Sequence, residues 1–429
     1  MKQFNTVLIS FITLIFILNI NHTIQQGTFY DVIKPASDNM ISIGEYQYYH
    51  FSDEFKTYPM WGYSFLNLPD SILSSKFLIL FFQVLFTFFG LHYFYKIFDL
   101  KQSYLHLLFF LPFIALLSTK MPDSPSAFLI LPIFYYLREL NLKSIVVAGV
   151  LSGVLINIRS EYQILIIFFG IFLLLKSSKF SEKIICSILY VLISFILIIP
   201  WGLRSYNNTG KFITGSTNGM AVMYNCLGQL PNNKWGITAL DSSAFGYVKS
   251  KSIKSAYSIE GEAALKEEVI TLISDEPFEY VKKSIYNFSS AFLGGLYTGE
   301  YSTLFMDYGY RYEFEKELNL VKGFGKVAFI MELPITKSIP FLIEKFIRLL
   351  SIPLFLFLLL YFFYNIKQIG NSNYLLIFMI VIQKLIIVSL IQYEYRHLNF
   401  IYLFLLGYFL ISSDKTKIFR YFRNSKYST

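Results

Sequence analysis

The chain is built from apolar runs about as long as a bilayer is thick. A helix needs about 20 mostly apolar residues to cross the hydrocarbon. About ten such runs recur, near 4–22, 75–98, 103–119, 122–138, 144–158, 160–176, 183–201, 349–366, 373–392 and 397–412. This predicts an all-α polytopic membrane protein of about ten transmembrane helices. Only 15% of the 429 residues are charged, while 55% are hydrophobic and 19% aromatic; soluble domains carry about 25% charged residues. That deficit excludes an ordinary cytosolic enzyme, a disordered chain and a disulfide scaffold, and two cysteines, Cys186 and Cys226, build no framework. The net charge of +9 sits mostly in bases between the runs. That is a topology pattern rather than a nucleic-acid-binding face.

Lysine and arginine set the orientation. With the N-terminus inside, the inner segments hold Lys2, Lys96, Lys101, Arg138, Lys143, Lys176, Lys179, Lys183 and Lys367, and the tail adds Lys415, Lys417, Arg420, Arg423 and Lys426. The short outer turns carry single bases: Lys120, Arg159 and Arg396. Both termini are therefore expected in the cytoplasm, in a cell membrane. The first run is expected to persist as an anchor, because no small-residue cleavage site follows it.

Two outer segments are long, 23–74 and 202–338. They divide the chain into an N-terminal transmembrane core (1–201), an outer cap (202–338), C-terminal transmembrane helices (339–412) and a basic tail (413–429). In the cap, Glu260 to Ile273 reads as a helix, Pro277 punctuates it, and a second helical run reaches Phe292. A small soluble α-rich domain or cap is expected there.

Charged residues gather at the predicted outer edge: Lys120-Met-Pro-Asp123, Arg159-Ser-Glu161, Trp201-Gly-Leu-Arg204 and Glu394-Tyr-Arg396-His397. The first outer loop adds Asp31, Asp38, Asp53 and Glu54 among tyrosines. Acids do not follow the positive-inside rule, so their clustering suggests a site at the membrane–water boundary. Each residue also has a plainer role. Asp123, after Pro122, suits a helix cap; Arg159 suits a headgroup contact with membrane lipids; Arg204 beside Trp201 suits an interfacial anchor. Lys384 lies deep in a run, at a cost of about 2.5–3.5 kcal/mol on insertion scales, which makes it a functional candidate. Its stem can instead lift the amine toward water. The five histidines show no H-x-x-x-H spacing, and neither a P-loop nor G-x-G-x-x-G occurs.

The order of these features resembles the GT-C glycosyltransferases, and within them the bacterial relatives of protein O-mannosyltransferases and lipid A aminoarabinose transferases. The likeness runs from the first helix to the tenth. Asp38 precedes Tyr58-Pro59-Met60-Trp61-Gly62-Tyr63. Met121-Pro122-Asp123 and Gly149-x3-Gly153-x5-Arg159-Ser160-Glu161 follow, then Pro200-Trp201-Gly202-Leu203-Arg204-Ser205-Tyr206, Gly210-Lys211-Phe212 and Ser216-Thr217-Asn218-Gly219. Glu394-Tyr395-Arg396-His397 opens the last helix.

The resemblance implies an enzyme that moves a sugar from a polyprenyl-phosphate donor to a hydroxyl on a glycan, lipid or protein. A carboxylate would take the acceptor proton, and Asp38 fits that role, with Asp31 and the Asp53–Glu54 pair as rivals. Arg204 and Arg396 suit the departing phosphate, since guanidinium is a planar fork of permanent charge; Arg159 and Lys384 are further candidates. Asp123 and Glu161 are placed to orient those cations, to position the sugar (Asp123 with a catalytic part), or to hold a divalent metal ion. Glu394, His397, Tyr58 and Trp61 are supporting candidates, the aromatics by stacking on sugar faces. The competing reading is a transporter or flippase of lipid-linked glycans. A carrier usually places its site near the midplane between two related halves, whereas here the charges gather at one edge and the halves are unalike.

Overall fold

The computed structural model describes residues 34–42, 48–50, 53–55, 61–73, 78–100, 122–139, 141–176, 179–294, 296, 335–367, 372–392 and 395–415. Among these the chain is helical apart from one short antiparallel hairpin, β1 (Tyr48–His50) and β2 (Asp53–Phe55), with Tyr49 opposite Glu54. The hairpin lies between α1 (Lys34–Ser42) and α2 (Gly62–Ile72). Then come α3 (Leu78–Phe98), α4 (Asp123–Leu137), α5 (Leu142–Ile158), a 3-10 turn (Ser160–Tyr162), α6 (Gln163–Leu175), α7 (Phe180–Ile196) and α8 (Ile199–Thr209). The 202–338 segment holds α9 (Gly219–Leu227), α10 (Asp241–Ser250), α11 (Ile259–Asp275) and α12 (Pro277–Gly294). The chain continues with α13 (Ile335–Tyr364), α14 (Ser372–Ile386), a π-helical turn (Ile387–Ile391) and α15 (Tyr395–Lys415).

Among the described residues two stretches are long and apolar enough to cross a bilayer, Phe341–Tyr364 and Asn373–Ile391. The bent pair α7–α8, turned by 44°, makes a third if it acts as one span. The apolar helices Val84–Phe98, Pro125–Leu137, Leu142–Ile158, Ser160–Leu175 and Leu398–Ser412 are shorter. The expected runs at 4–22 and 103–119 lie outside the described residues. Packing closes a ring: α3 on α4, α4 on α5, α5 on α7, α7 on α6, α6 on α14, α14 on α15, and α15 back on α3.

Local chemistry sets the ends that matter. Asn141 caps α5, its Oδ1 accepting the Ser144 N–H at 2.8 Å. Gly153 lets α7 approach, because a Cβ there would lie 2.8 Å from the Ser194 carbonyl oxygen. The run read as continuous to 201 breaks instead after Ile196, and α8 restarts with Pro200 in its first turn, where a missing N–H costs nothing. Asn157 Nδ2 donates to the Leu197 carbonyl at this break, at 3.0 Å.

In this segment α9, α10 and α11 surround their own apolar core, including Tyr224, Leu227, Val248, Leu265 and Val269. Helix α8 runs through residue 202. Ala291, Phe292 and Leu296 belong to the bundle's own core.

Candidate functional site

Arg159 ends α5 in extended backbone (φ −153°), and the 3-10 turn that follows brings Glu161 back beside it. Its Nε lies 3.3 Å from Glu161 Oε1, while its Nη1 donates to Asp123 Oδ1. Asp123 opens α4, with Pro122 at the N-cap position. On the other side of Glu161, Lys384 Nζ donates to Oε1 at 2.6 Å. Lys384 is 1% exposed, and its ammonium lies 4.4 Å from the Tyr162 ring centre and 4.8 Å from that of Phe400. The stem therefore does not lift the amine to water; Glu161 comes to it.

The result is a row of alternating charge, Asp123, Arg159, Glu161 and Lys384, drawn from four elements. Its formal charges cancel, and that balance lets such groups sit largely out of water. Lys384 lies roughly 10 Å short of the Ile391 end of its span at 1.5 Å per residue, so the row descends from helix ends into the bundle.

A second group adjoins the first through Asn157. The Trp61 indole donates to Asn157 Oδ1 at 2.7 Å, and its ring lies 5.9 Å from that of Trp201. Gly62 makes this approach possible, because a Cβ there would fall 2.4 Å from the Asn157 carbonyl carbon. Trp201 is fully buried and donates to the Gly215 carbonyl at 2.8 Å. The Arg204 guanidinium lies 5.5 Å from the Trp201 ring centre, within cation–π range. Gln163 donates to the Thr214 carbonyl, so the strand of chain after α8 is strapped across the Arg159 turn.

Asp38 is placed otherwise. It forms an i,i+4 ion pair with Lys34 at 2.6 Å on half-exposed α1. That helix rests on α2, where Ser37 Oγ donates to the Ser64 carbonyl at 3.0 Å. The described ion pair of Asp38 is with Lys34 and not with the charged row. Arg396 and His397 lie in the first turn of α15, where their backbone alone is described. Asp31, Tyr58 and Glu394 lie outside the described residues, and Asp53 and Glu54 form strand β2.

Among the described residues no group of three or more His, Cys, Asp and Glu side chains is arranged to hold a metal ion. Asp123 and Glu161 do not fit a divalent ion, because both already face cations that would repel it. No family model, curated protein or solved structure matches the chain. Sequence reasoning missed Asn157 and Gln163 as parts of this site. Asn157 was detectable as an amide inside an apolar run, where an unsatisfied polar group is costly; Gln163 had no such signal, since a polar residue at a helix start is ordinary.

Proposed function

We propose that this chain transfers a sugar from a polyprenyl-phosphate donor to an acceptor hydroxyl at the outer surface of a membrane, as a roughly ten-span enzyme with both termini inside. The observation that carries this reading is the meeting of Asp123, Arg159, Glu161 and Lys384 beside the Trp61–Trp201–Arg204 group. The carboxylates of the row would orient its cations, and the second group offers the half-buried Trp61, backed by Trp201, and the Arg204 guanidinium.

In the proposed reaction the acceptor oxygen forms a bond to the anomeric carbon. The bond from that carbon to the phosphate oxygen breaks, and polyprenyl phosphate departs with the electron pair. The acceptor proton passes to a carboxylate, for which Asp38, on the half-exposed helix α1, is the candidate. Arg204 and Arg396 would hold the departing phosphate by charge-assisted hydrogen bonds of about 1.5–3 kcal/mol each. Arg159, held from both sides by carboxylates, is better suited to shape the pocket than to give up those partners.

The test is donor use by Arg204→Ala and Arg204→Lys in purified, lipid-reconstituted protein. We expect several-fold weaker turnover in Arg204→Ala and partial recovery in Arg204→Lys. Unchanged donor kinetics in both would return Arg204 to the role of an interfacial anchor. Passage of the lipid-linked sugar across vesicles without transfer would favour a flippase.

A further inference from the structure

Helix α12 is amphipathic in the reverse of the usual sense. Its polar residues Glu279, Lys283 and Asn287 are 4%, 0% and 0% exposed, while Phe278, Val281, Ile285 and Phe288 are between 41% and 80% exposed. At 100° per residue these sets occupy opposite sides of the helix. The buried polar side is fully engaged at its charged positions. Lys283 Nζ donates to the Leu390 and Ile391 carbonyls at 2.8 and 2.7 Å, and the Tyr280 hydroxyl donates to Leu390 at 2.7 Å. Those carbonyls sit at the π-helical end of the span Asn373–Ile391. Glu279 accepts the Lys234 N–H at 3.1 Å, and Asn287 Nδ2 donates to Gln229 at 2.9 Å.

The two ends of α12 fix its depth. Lys283 is level with the end of one span. Further along, the Phe292 ring lies 5.6 Å from that of Phe355, and the Leu296 N–H donates to Ser351 Oγ at 2.8 Å. Phe355 is roughly 20 Å along the span that begins at Phe341. A helix that starts at the end of one span and finishes beside the middle of another runs down into the hydrocarbon. An apolar stripe in that position has one solvent suited to it. We infer that α12 enters the bilayer from the side of the outer domain and sets Phe278, Val281, Ile285 and Phe288 against lipid, headgroup boundary first and acyl chains below. The polar residues that made this stretch read as soluble face the protein. The inference depends on the spans and on α12 alone, not on sugar transfer.

The test is depth-dependent quenching in the full chain, reconstituted in vesicles of phosphatidylethanolamine and phosphatidylglycerol. In a Cys186→Ser, Cys226→Ala background, single cysteines replace Phe278, Ile285 and Phe288, with Lys249 as an exposed aqueous control and Leu360 as a control on a span. Each carries a bimane. We expect Ile285 and Phe288 positions to be quenched by acyl-chain nitroxide lipids several-fold more than Lys249 and close to Leu360, with Phe278 favouring headgroup nitroxides. Equal access of an aqueous quencher to Ile285, Phe288 and Lys249 would overturn the inference. So would protection of the stripe from both quenchers, which would mean that a protein partner or a second copy covers it. Photolabelling of the unaltered chain with acyl-chain diazirine lipids serves where a variant fails to fold: label is expected within 277–294, and its absence there with labelling of 341–364 would also overturn it.

Discussion

Lys384 and Glu161 stand 223 positions apart in the chain and 2.6 Å apart in space. Their contact fastens α14 to the turn between α5 and α6, and through Arg159 to the start of α4. Removing one partner strands the other. Glu161→Ala leaves a fully buried ammonium without its anion and should cost roughly 3–5 kcal/mol. The double variant Glu161→Gln, Lys384→Met should recover most of that loss. Thermal unfolding of the purified single and double variants reads the coupling; additive losses would show that the pair does not act as a unit.

Arg159 reaches Asp123 through Nη1 and Glu161 through Nε. A lysine keeps the charge but lacks the fork. Arg159→Lys should therefore fold and insert yet lose several-fold in donor use. Donor kinetics equal to those of the parent would reduce the Arg159 contacts to simple charge balance.

Asn157 accepts from Trp61 and donates to the carbonyls of Gly153 and Leu197. Asn157→Ala leaves the indole N–H and the Leu197 carbonyl without that partner, at about 1–3 kcal/mol for each group left buried and unsatisfied. Near-ultraviolet circular dichroism should register a loosened Trp61–Trp201 pair. An unaltered spectrum and melting point would mean that other groups replace the amide.

These contacts mark how far the sequence could be read. The helices near 122–138, 144–158 and 160–176 emerge within a few residues because long apolar runs and a cap such as Asn141 leave little freedom. The α7–α8 break was hidden, since apolar residues continue through Ile196, Ile198 and Ile199 and the polar group that supports the bend, Asn157, comes from another helix. Helix α13 begins at Ile335, well before its apolar run, because Lys345 and Arg348 mask its first turns. The Arg159–Glu161 pair was legible, as a turn that short leaves both at one edge. The partner of Lys384 was not, because nothing local in a chain names a residue 223 positions away. Asp38 shows the converse: Lys34, four residues before it, is an ordinary helical ion-pair position, a local signal of the pair that forms.

In the core formed by α9, α10 and α11, burial pushes the Glu262 carboxyl up to about 7, although the Met220 N–H bond and Lys266 pull it back. A carboxyl whose folded pKa exceeds its ordinary 4.5 takes up a proton on folding. Its favourable contribution is full below about pH 4.5 and is lost as pH rises toward 7. Helix α9, whose N-terminal amide faces this carboxyl, should therefore be better protected from hydrogen exchange at pH 5 than at pH 8, after correction for intrinsic rates. Glu262→Gln should abolish the difference. Equal pH dependence in parent and variant would place the titrating group elsewhere.

Sugar transfer itself is the decisive readout. The purified chain in lipid nanodiscs is given polyprenyl-phosphate hexoses and pentoses with soluble and lipid acceptors, and release of polyprenyl phosphate is followed for the parent and for Asp38→Asn. The parent should release it with matching transfer of the sugar, while Asp38→Asn should fall by roughly 10²-fold or more with donor binding intact, because only the proton acceptor is lost. A folded parent chain that releases no polyprenyl phosphate from any of these donors, or an Asp38→Asn variant as fast as the parent, would contradict the proposed reaction or its proposed base, respectively.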